Sequence, residues 1–90
     1  MTQEKTNKSL KDESILSAER ELILYNDDVN TFDFVIETLV EVCDHDLLQA
    51  EQCALIVHFK GKCAVKTGDF YTLRSKHETM SDRGLTVEII

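Results

Sequence analysis

Apolar residues alternate with polar ones in three short segments of this chain and recur at helical spacing in three longer ones. The alternating segments predict strands over residues 19–25, 63–67 and 85–89. The helical spacing predicts helices over residues 31–43, 47–60 and 69–82. The resulting order, β-α-α-β-α-β, predicts an α+β sandwich in which three helices cover a small, mainly antiparallel sheet of three strands.

Capping residues mark the ends of the predicted helices. Asn30 is expected to be the N-cap of the first helix, and Asp46 the N-cap of the second, with Gln49 three residues later as in a capping box. Gly61 and Gly84 are placed to end the second and third helices. The stripes expected to face the core are, in chain order, Phe32, Val35, Ile36, Leu39, Val42 and Cys43; Leu47, Ala50, Cys53, Ala54 and Val57; and Phe70, Leu73, His77 and Met80.

The first 18 residues differ in composition from the rest of the chain. Met1 and Leu10 are the only sizeable apolar residues among the first 14, too few to order the segment by burial. We therefore expect a flexible tail over residues 1–18 and one domain over residues 19–90. The apolar runs are too short to span a bilayer and no signal peptide opens the chain, so we expect no membrane association and a cytoplasmic location.

Charge is unevenly distributed along a chain whose formal net charge is -7. Eight acidic residues and no Lys or Arg lie between Asp27 and Glu51, whereas five basic residues and one acid lie between Lys60 and Lys76. The overall sign disfavours nucleic acid, which needs a basic surface. The two blocks are either solvated faces or two functional surfaces, one for a cationic ligand and one for an acidic protein partner.

The three cysteines, Cys43, Cys53 and Cys63, cannot all pair with one another. Each lies in an apolar periodic context, which favours buried thiols in a reducing compartment. The chain contains no C-x-x-C pair, so a zinc site is not expected.

The strand-like run that ends at Tyr25 is followed at once by the polar turn Asn26-Asp27-Asp28. An amide and two carboxylates with no basic residue nearby in the sequence suit a small cationic ligand such as an ammonium group. Taken alone, the turn is better explained by the backbone hydrogen bonds that Asn and Asp side chains make in turns. His58, taken alone, is best explained as a residue near the carbonyl end of a helix.

Two sequence blocks, in this order and at this spacing, resemble the signatures of the ClpS adaptor family. The first is LYNDD at 24–28 followed by FDFVI at 32–36, and the second is VHFKGK at 57–62. The closing LTVE at 85–88 resembles the last strand of the family, and the resemblance covers residues 20–90.

The resemblance implies a bacterial, non-catalytic adaptor without a cofactor. Such adaptors bind proteins whose first residue is Leu, Phe, Tyr or Trp, known as N-degron substrates, and deliver them to a ClpA- or ClpC-type AAA+ unfoldase. It implies that Asn26, Asp28 and His58 hold the free α-amino group of the substrate, with Asp27 supporting the same rim. We expect a monomer. The implied pocket for the first side chain is lined by Asn30, Phe32, Ala54 and Val57, and the resemblance aligns Lys76 with a residue that contacts the unfoldase.

The family pattern differs from this chain at several of these positions. It has Thr where Asn30 stands, Pro where Thr31 stands, and Met where Phe32 and Ala54 stand. Phe32 is bulkier and Ala54 smaller than Met, so the two exchanges act in opposite directions on the volume of the pocket. The resemblance leaves open which first residue this chain prefers.

Other functions remain as alternatives. Asp27 or Asp28 with His58 could form an acid–base pair, but the sequence offers no nucleophile, cofactor loop or oxyanion device. The same three residues could ligate a metal ion, although we expect none. A similar fold occurs in the ribosomal stalk protein, so the chain could instead be a protein–protein docking module that has lost N-degron binding.

Overall fold

The computed structural model describes residues 18–90, so the predicted tail lies outside the described residues apart from Ala18. Three strands and three helices follow one another in the predicted order, which confirms the α+β fold. In chain order the elements are β1 (Arg20–Tyr25), α1 (Phe32–Cys43), α2 (Leu47–Lys60), β2 (Lys62–Gly68), α3 (Phe70–Asp82) and β3 (Thr86–Ile89).

The sheet has the strand order β2-β1-β3, and β1 pairs antiparallel with both neighbours. Leu24 lies opposite Cys63 in β2 and opposite Val87 in β3. The register between β1 and β2 shifts between Leu22 and Ile23. The loop that joins this central strand to α1 therefore starts at the middle of the sheet.

The core lies between the sheet and the three helices. Leu22 and Leu24 from β1, Leu39 from α1, and Leu73 and Met80 from α3 are fully buried. Burying a side chain of this size contributes roughly 1.5–3 kcal/mol. Within residues 18–90, no helix has both the length and the apolar character needed to cross a bilayer.

Three of the expected helix details are wrong. Thr31, not Asn30, is the N-cap of α1, and its hydroxyl accepts a hydrogen bond from the Phe34 N–H at 3.1 Å. Asn30 does not cap the helix because its side chain bonds elsewhere in the loop. Leu47 and Phe32 are expected to face the core but are 62% and 42% exposed, since each occupies the first turn of its helix.

The predictions for the other caps are confirmed. Asp46 caps α2 by accepting a hydrogen bond from the Gln49 N–H at 2.7 Å. Gly61 follows α2 with φ +93°, in the left-handed region that glycine adopts without strain. Gly84 lies just beyond α3 with φ +86°.

The carbonyl end of α1 is stabilised by lysines from other elements, since its own last turn has no basic residue. Lys66 of β2 donates to the Cys43 carbonyl at 3.2 Å, and Lys76 of α3 donates to the Val42 carbonyl at 2.9 Å. Positive charge at this end of a helix is favoured by the helix dipole. These contacts join α1 to both β2 and α3.

The remaining histidines have structural positions. His45 is buried, and its Nε2 forms a hydrogen bond with the Val65 carbonyl. His77 Nε2 lies 3.1 Å from the Val87 carbonyl. Each of these two rings therefore has a hydrogen-bond partner within the fold.

The three cysteines are free thiols. Cys43 is fully buried, and Cys53 and Cys63 are partly buried. Burial raises the pKa of Cys43 to about 11 and, together with the neighbouring Cys63, that of Cys53 to about 12. Both thiols therefore stay protonated and weakly nucleophilic at neutral pH.

Candidate functional site

The loop between β1 and α1 begins beside the end of α2. The Asn26 N–H donates to the Gly61 carbonyl at 2.8 Å. The positive φ of Gly61 turns the chain sharply from α2 into β2, which brings this carbonyl to the end of β1. This hydrogen bond places the polar loop next to the last turn of α2, which carries His58.

Asp27 organises the loop from within. One carboxylate oxygen accepts hydrogen bonds from the N–H groups of Val29, at 2.9 Å, and Asn30, at 2.8 Å. The other accepts from the Asn30 side-chain amide at 2.9 Å. Desolvation alone would raise the pKa of Asp27, but the hydrogen bonds from Asn30 and Val29 outweigh it and hold the pKa below its usual value.

Asn30 ties this loop to the turn that follows α3. Its amide nitrogen donates both to the Asp27 carboxylate, at 2.9 Å, and to the Gly84 carbonyl, at 3.0 Å. Both N–H groups of the amide are thereby used. The loop is thus held at one side by the turn after α3 and at the other by Gly61.

A cavity of about 460 Å³ lies between this loop, the start of α1 and the second half of α2. Its volume is within the usual range for small-ligand pockets. Every residue that the sequence suggested for the α-amino group and for the first side chain lies at this cavity. The lining residues are Asn26, Asp27, Asp28, Asn30, Phe32, Val35, Ala54, Val57 and His58.

The wall of the cavity has a polar part and an apolar part. Asn26, Asp28 and His58 are exposed, and their side chains make no hydrogen bond to any atom of residues 18–90. Ala54 and Val57 are almost fully buried, with 2% and 4% exposure. The free polar atoms therefore lie next to a well-packed apolar surface.

Phe32 is unusual among the lining residues because it is large, apolar and 42% exposed. It occupies the first turn of α1, directly after the N-cap Thr31. An aromatic ring left half-exposed at a cavity offers apolar surface to a ligand. Phe32 and the small Ala54 thus contribute opposite extremes of size to the same wall.

His58 lies in the last turn of α2 with its ring against Phe59. The two ring centroids are 4.9 Å apart at an interplanar angle of 78°, an edge-to-face arrangement. Within residues 18–90, no hydrogen bond joins the imidazole to the terminal carbonyls of α2. The ring nitrogens therefore remain available at the cavity.

Val35 is the lining residue that the sequence interpretation did not assign to the cavity. It follows Phe32 by three residues, so both side chains lie on one face of α1. The helical period was therefore the signal that could have identified it. The same period also places Val35 in the core stripe of α1, and its side chain packs against the buried core.

Lys76 lies outside the cavity, on α3. Its ammonium group is 3.5 Å from the Asp44 carboxylate in addition to its bond with the Val42 carbonyl, and the side chain is only 18% exposed. Among residues 18–90, no group of three or more His, Cys, Asp or Glu side chains is arranged to hold a metal ion. The metal alternative for Asp27, Asp28 and His58 therefore has no structural support.

A family model described as ATP-dependent Clp protease adaptor protein ClpS matches residues 17–88, most of the chain. The chain belongs to the ClpS family. The resemblance inferred from the two sequence blocks is thereby confirmed.

Curated ClpS relatives come from bacteria. The ATP-dependent Clp protease adapter protein ClpS of Edwardsiella ictaluri is 37% identical over 71 residues, which are 77% of this chain and 63% of that protein. The ClpS of Campylobacter jejuni (strain RM1221) is 39% identical over 57 residues, 61% of this chain and 59% of that protein. The chain thus spans about three fifths of the length of these relatives.

A solved structure shares the fold. Agrobacterium tumefaciens ClpS2, bound to L-phenylalaninamide, superposes with a TM-score of 0.76 at 19% sequence identity. The match covers 80% of this chain and 94% of that one. At this identity the similarity establishes that both chains have the ClpS fold.

Proposed function

We propose that this ClpS-family protein is an adaptor that recognises the free α-amino group and the large hydrophobic first residue of N-degron substrates. The observation that supports this most strongly is the composition of one cavity. Three polar side chains without protein partners among the described residues, Asn26, Asp28 and His58, adjoin the apolar surface formed by Ala54 and Val57.

The polar part of the cavity matches the chemistry of an N-terminal ammonium group. Such a group has three N–H donors and one positive charge. The Asn26 oxygen, the Asp28 carboxylate and a neutral His58 nitrogen provide three acceptors, and the carboxylate also provides charge. Asp27 would support ammonium binding indirectly, because its carboxylate oxygens accept the hydrogen bonds that hold the loop in shape.

The apolar part of the cavity would receive the side chain of the first residue. Phe32, Val35, Ala54 and Val57 offer no polar side-chain atom to a ligand. Burying Leu, Phe, Tyr or Trp against them would contribute roughly 1.5–3 kcal/mol for the aliphatic or aromatic part. A first residue such as Lys would lose hydration of its charge without gaining a partner. Asn30 would contribute at the rim, since its amide is fixed by Asp27 and Gly84.

The ligand of the structural neighbour is consistent with this division. L-Phenylalaninamide, found with Agrobacterium tumefaciens ClpS2, combines a free α-amino group with an aromatic side chain. These are the two chemical features that the polar and apolar parts of the cavity would recognise here.

The proposal extends to delivery of the bound substrate to a AAA+ unfoldase of the ClpA or ClpC type. The family is one of Clp protease adaptors, so the protein itself would carry out no catalysis and would act in the cytoplasm beside its protease. The cavity is formed by a single chain, so a monomer would suffice for substrate binding. Lys76 would contribute to unfoldase contact only through its small exposed part.

Fluorescence anisotropy with labelled peptides of one sequence, varied only at the first residue, tests the recognition step. We expect micromolar or tighter binding for Leu, Phe, Tyr and Trp, and none for Lys. His58→Ala should weaken binding, whereas Lys60→Ala, an exposed residue of the same turn outside the cavity, should not. Tight binding of the Lys peptide would contradict the proposed role of the apolar surface.

A degradation assay tests the delivery step. A folded substrate that begins with Phe should be degraded faster by a ClpA- or ClpC-containing protease when this protein is added. A protein that associates with the unfoldase but binds none of the peptides would instead be a docking module that has lost N-degron recognition.

A further inference from the structure

The side-chain amide of Asn30 is held in one orientation by two hydrogen bonds. Its nitrogen donates to the Asp27 carboxylate at 2.9 Å and to the Gly84 carbonyl at 3.0 Å. Neither oxygen can donate a hydrogen bond, since a carbonyl carries no proton and the lowered pKa of Asp27 keeps its carboxylate ionised at neutral pH. A reversed amide would place its oxygen against two acceptors, so the positions of its nitrogen and oxygen are fixed.

The amide oxygen of Asn30 is left without a donor. No N–H or O–H group of residues 18–90 donates a hydrogen bond to it, and it keeps contact with solvent although the residue is half-buried. Asn30 lines the cavity and lies two positions after Asp28 and two before Phe32. Its free oxygen therefore belongs to the stretch of wall where the polar loop meets the apolar start of α1.

The substrate ammonium group does not need this oxygen. An ammonium group has three N–H donors, and the proposed function assigns them to acceptors on Asn26, Asp28 and His58. Asn30 adds a fourth acceptor to the same cavity. A ligand that displaces water from this acceptor and brings no donor loses affinity. The fourth acceptor thus favours a ligand that carries a further donor.

The first side chain of the substrate can bring that donor. Tyr has a hydroxyl O–H and Trp an indole N–H, whereas the side chains of Leu and Phe have no donor. The apolar wall that would surround this side chain, formed by Phe32, Val35, Ala54 and Val57, has no polar side-chain atom. Within the lining of the cavity, the Asn30 oxygen is therefore the acceptor that remains for a donor on the first side chain.

We infer that Asn30 makes this protein favour Tyr and Trp over Phe and Leu as the first residue of its substrates, by accepting a hydrogen bond from the Tyr hydroxyl or the Trp indole N–H. The inference rests on the proposed function and specifies the substrate class of the same cavity. A hydrogen-bonding site discriminates between ligands of nearly equal size more sharply than apolar contact does. One neutral hydrogen bond of this kind corresponds to roughly 3- to 10-fold in affinity.

Isothermal titration of the full chain with matched peptides tests the inference. The peptides share one sequence after the first residue and begin with Tyr, para-fluorophenylalanine, Trp or benzothienylalanine. The fluorinated residue has nearly the shape of Tyr without the O–H, and benzothienylalanine has that of Trp with sulfur in place of the N–H. Tyr and Trp should each bind roughly 3- to 10-fold tighter than their analogues.

The variant Asn30→Ala separates the hydrogen bond from the size of the ring. It should weaken the binding of every peptide, because the loop loses two hydrogen bonds, and it should abolish the preference for Tyr over para-fluorophenylalanine. Asp27→Asn is the matched control, since it loosens the same loop while the Gly84 carbonyl still orients the Asn30 amide. It should weaken both peptides and retain the preference. Circular dichroism checks that each variant is folded.

Two results would overturn the inference and leave the proposed function intact. The first is equal affinity of the parent chain for the Tyr and para-fluorophenylalanine peptides, a comparison that needs no variant. The second is a preference for Tyr that persists in Asn30→Ala, since the hydroxyl would then have another partner. Absence of binding by all the peptides would instead overturn the proposed function and the inference together.

Discussion

Replacing Asp28 by Asn is expected to weaken substrate binding without changing the stability of the fold. The Asp28 carboxylate lines the cavity, is exposed, and makes no hydrogen bond within residues 18–90. Asn has nearly the same shape but lacks the charge. The change therefore removes the charge that attracts the substrate ammonium group and replaces one of the two acceptor oxygens by an NH2 donor.

The size of the effect follows from the exposure of the group. At about 3 Å, two unit charges interact by roughly 1.4 kcal/mol in water and roughly 5.5 kcal/mol at an effective dielectric constant of 20. Part of this energy is offset by desolvation, and measured charged hydrogen bonds contribute about 1.5–3 kcal/mol. We therefore expect the Kd to rise roughly 10- to 150-fold.

The assay compares Asp28→Asn with Asp27→Asn by anisotropy with a peptide that begins with Phe and by urea unfolding. Asp28→Asn should raise the Kd and leave the unfolding midpoint unchanged. Asp27→Asn should lower the midpoint as well, because the Asp27 carboxylate accepts three hydrogen bonds inside the loop. An Asp28→Asn protein that binds within twofold of the parent, or one that loses as much stability as Asp27→Asn, would contradict this role of the Asp28 carboxylate.

Three further predictions concern the loop and its supports. Asn30→Ala removes the side-chain hydrogen bonds to Asp27 and to the Gly84 carbonyl. It should lower the free energy of unfolding in urea by about 1 kcal/mol and weaken peptide binding. An unchanged urea midpoint would mean that water replaces both hydrogen bonds. Gly61→Ala should destabilise the fold by roughly 1–2 kcal/mol, because alanine is strained at the φ of +93° that Gly61 adopts. No atom lies within 4 Å of the added Cβ, so a steric clash would not contribute. A neutral substitution would contradict this backbone explanation. The pKa of Asp27 is lower in the folded protein than in the unfolded chain, so ionised Asp27 stabilises the fold. This stabilisation is complete above the unfolded-state pKa and is lost as pH falls through the folded-state pKa. Urea midpoints measured on either side of pH 4 should therefore decline less in Asp27→Asn than in the parent.

The order of helices and strands followed from residue spacing because each element buries one face. The alternation of Leu22 and Leu24, and the helical recurrence of Leu39, Val42 and Cys43, correspond to positions that are buried in the structure. Local capping chemistry likewise predicted Asp46, whose side chain acts within its own turn.

The details that the sequence could not predict depend on contacts between distant residues. Asn30 and Thr31 are both suitable N-caps, and the choice between them depends on Gly84, which binds the Asn30 amide from 54 positions away. The lysines that stabilise the end of α1 come from β2 and α3 and have no local signal. Leu48 has the same apolar character as a core residue, and only the packing of α2 leaves it exposed.

The candidate site was predicted more completely than the helix ends. The three residues with free polar groups, Asn26, Asp28 and His58, come from two sequence blocks whose joint spacing carried the resemblance. Residue type alone could not distinguish Asp27 from Asp28. The hydrogen bonds distinguish them, because Asp27 is used within the loop and Asp28 is not.

Recognition of the substrate α-amino group can be measured by isothermal titration of two peptides that begin with Phe and differ only in acetylation of the first amino group. Acetylation removes the positive charge and two of the three N–H donors, so at least two of the acceptors at Asn26, Asp28 and His58 lose their partners, at a cost of several kcal/mol. We expect micromolar or tighter binding of the free peptide, and binding of the acetylated peptide that is about 100-fold weaker or undetectable. Equal affinity for the two peptides would contradict recognition of the α-amino group.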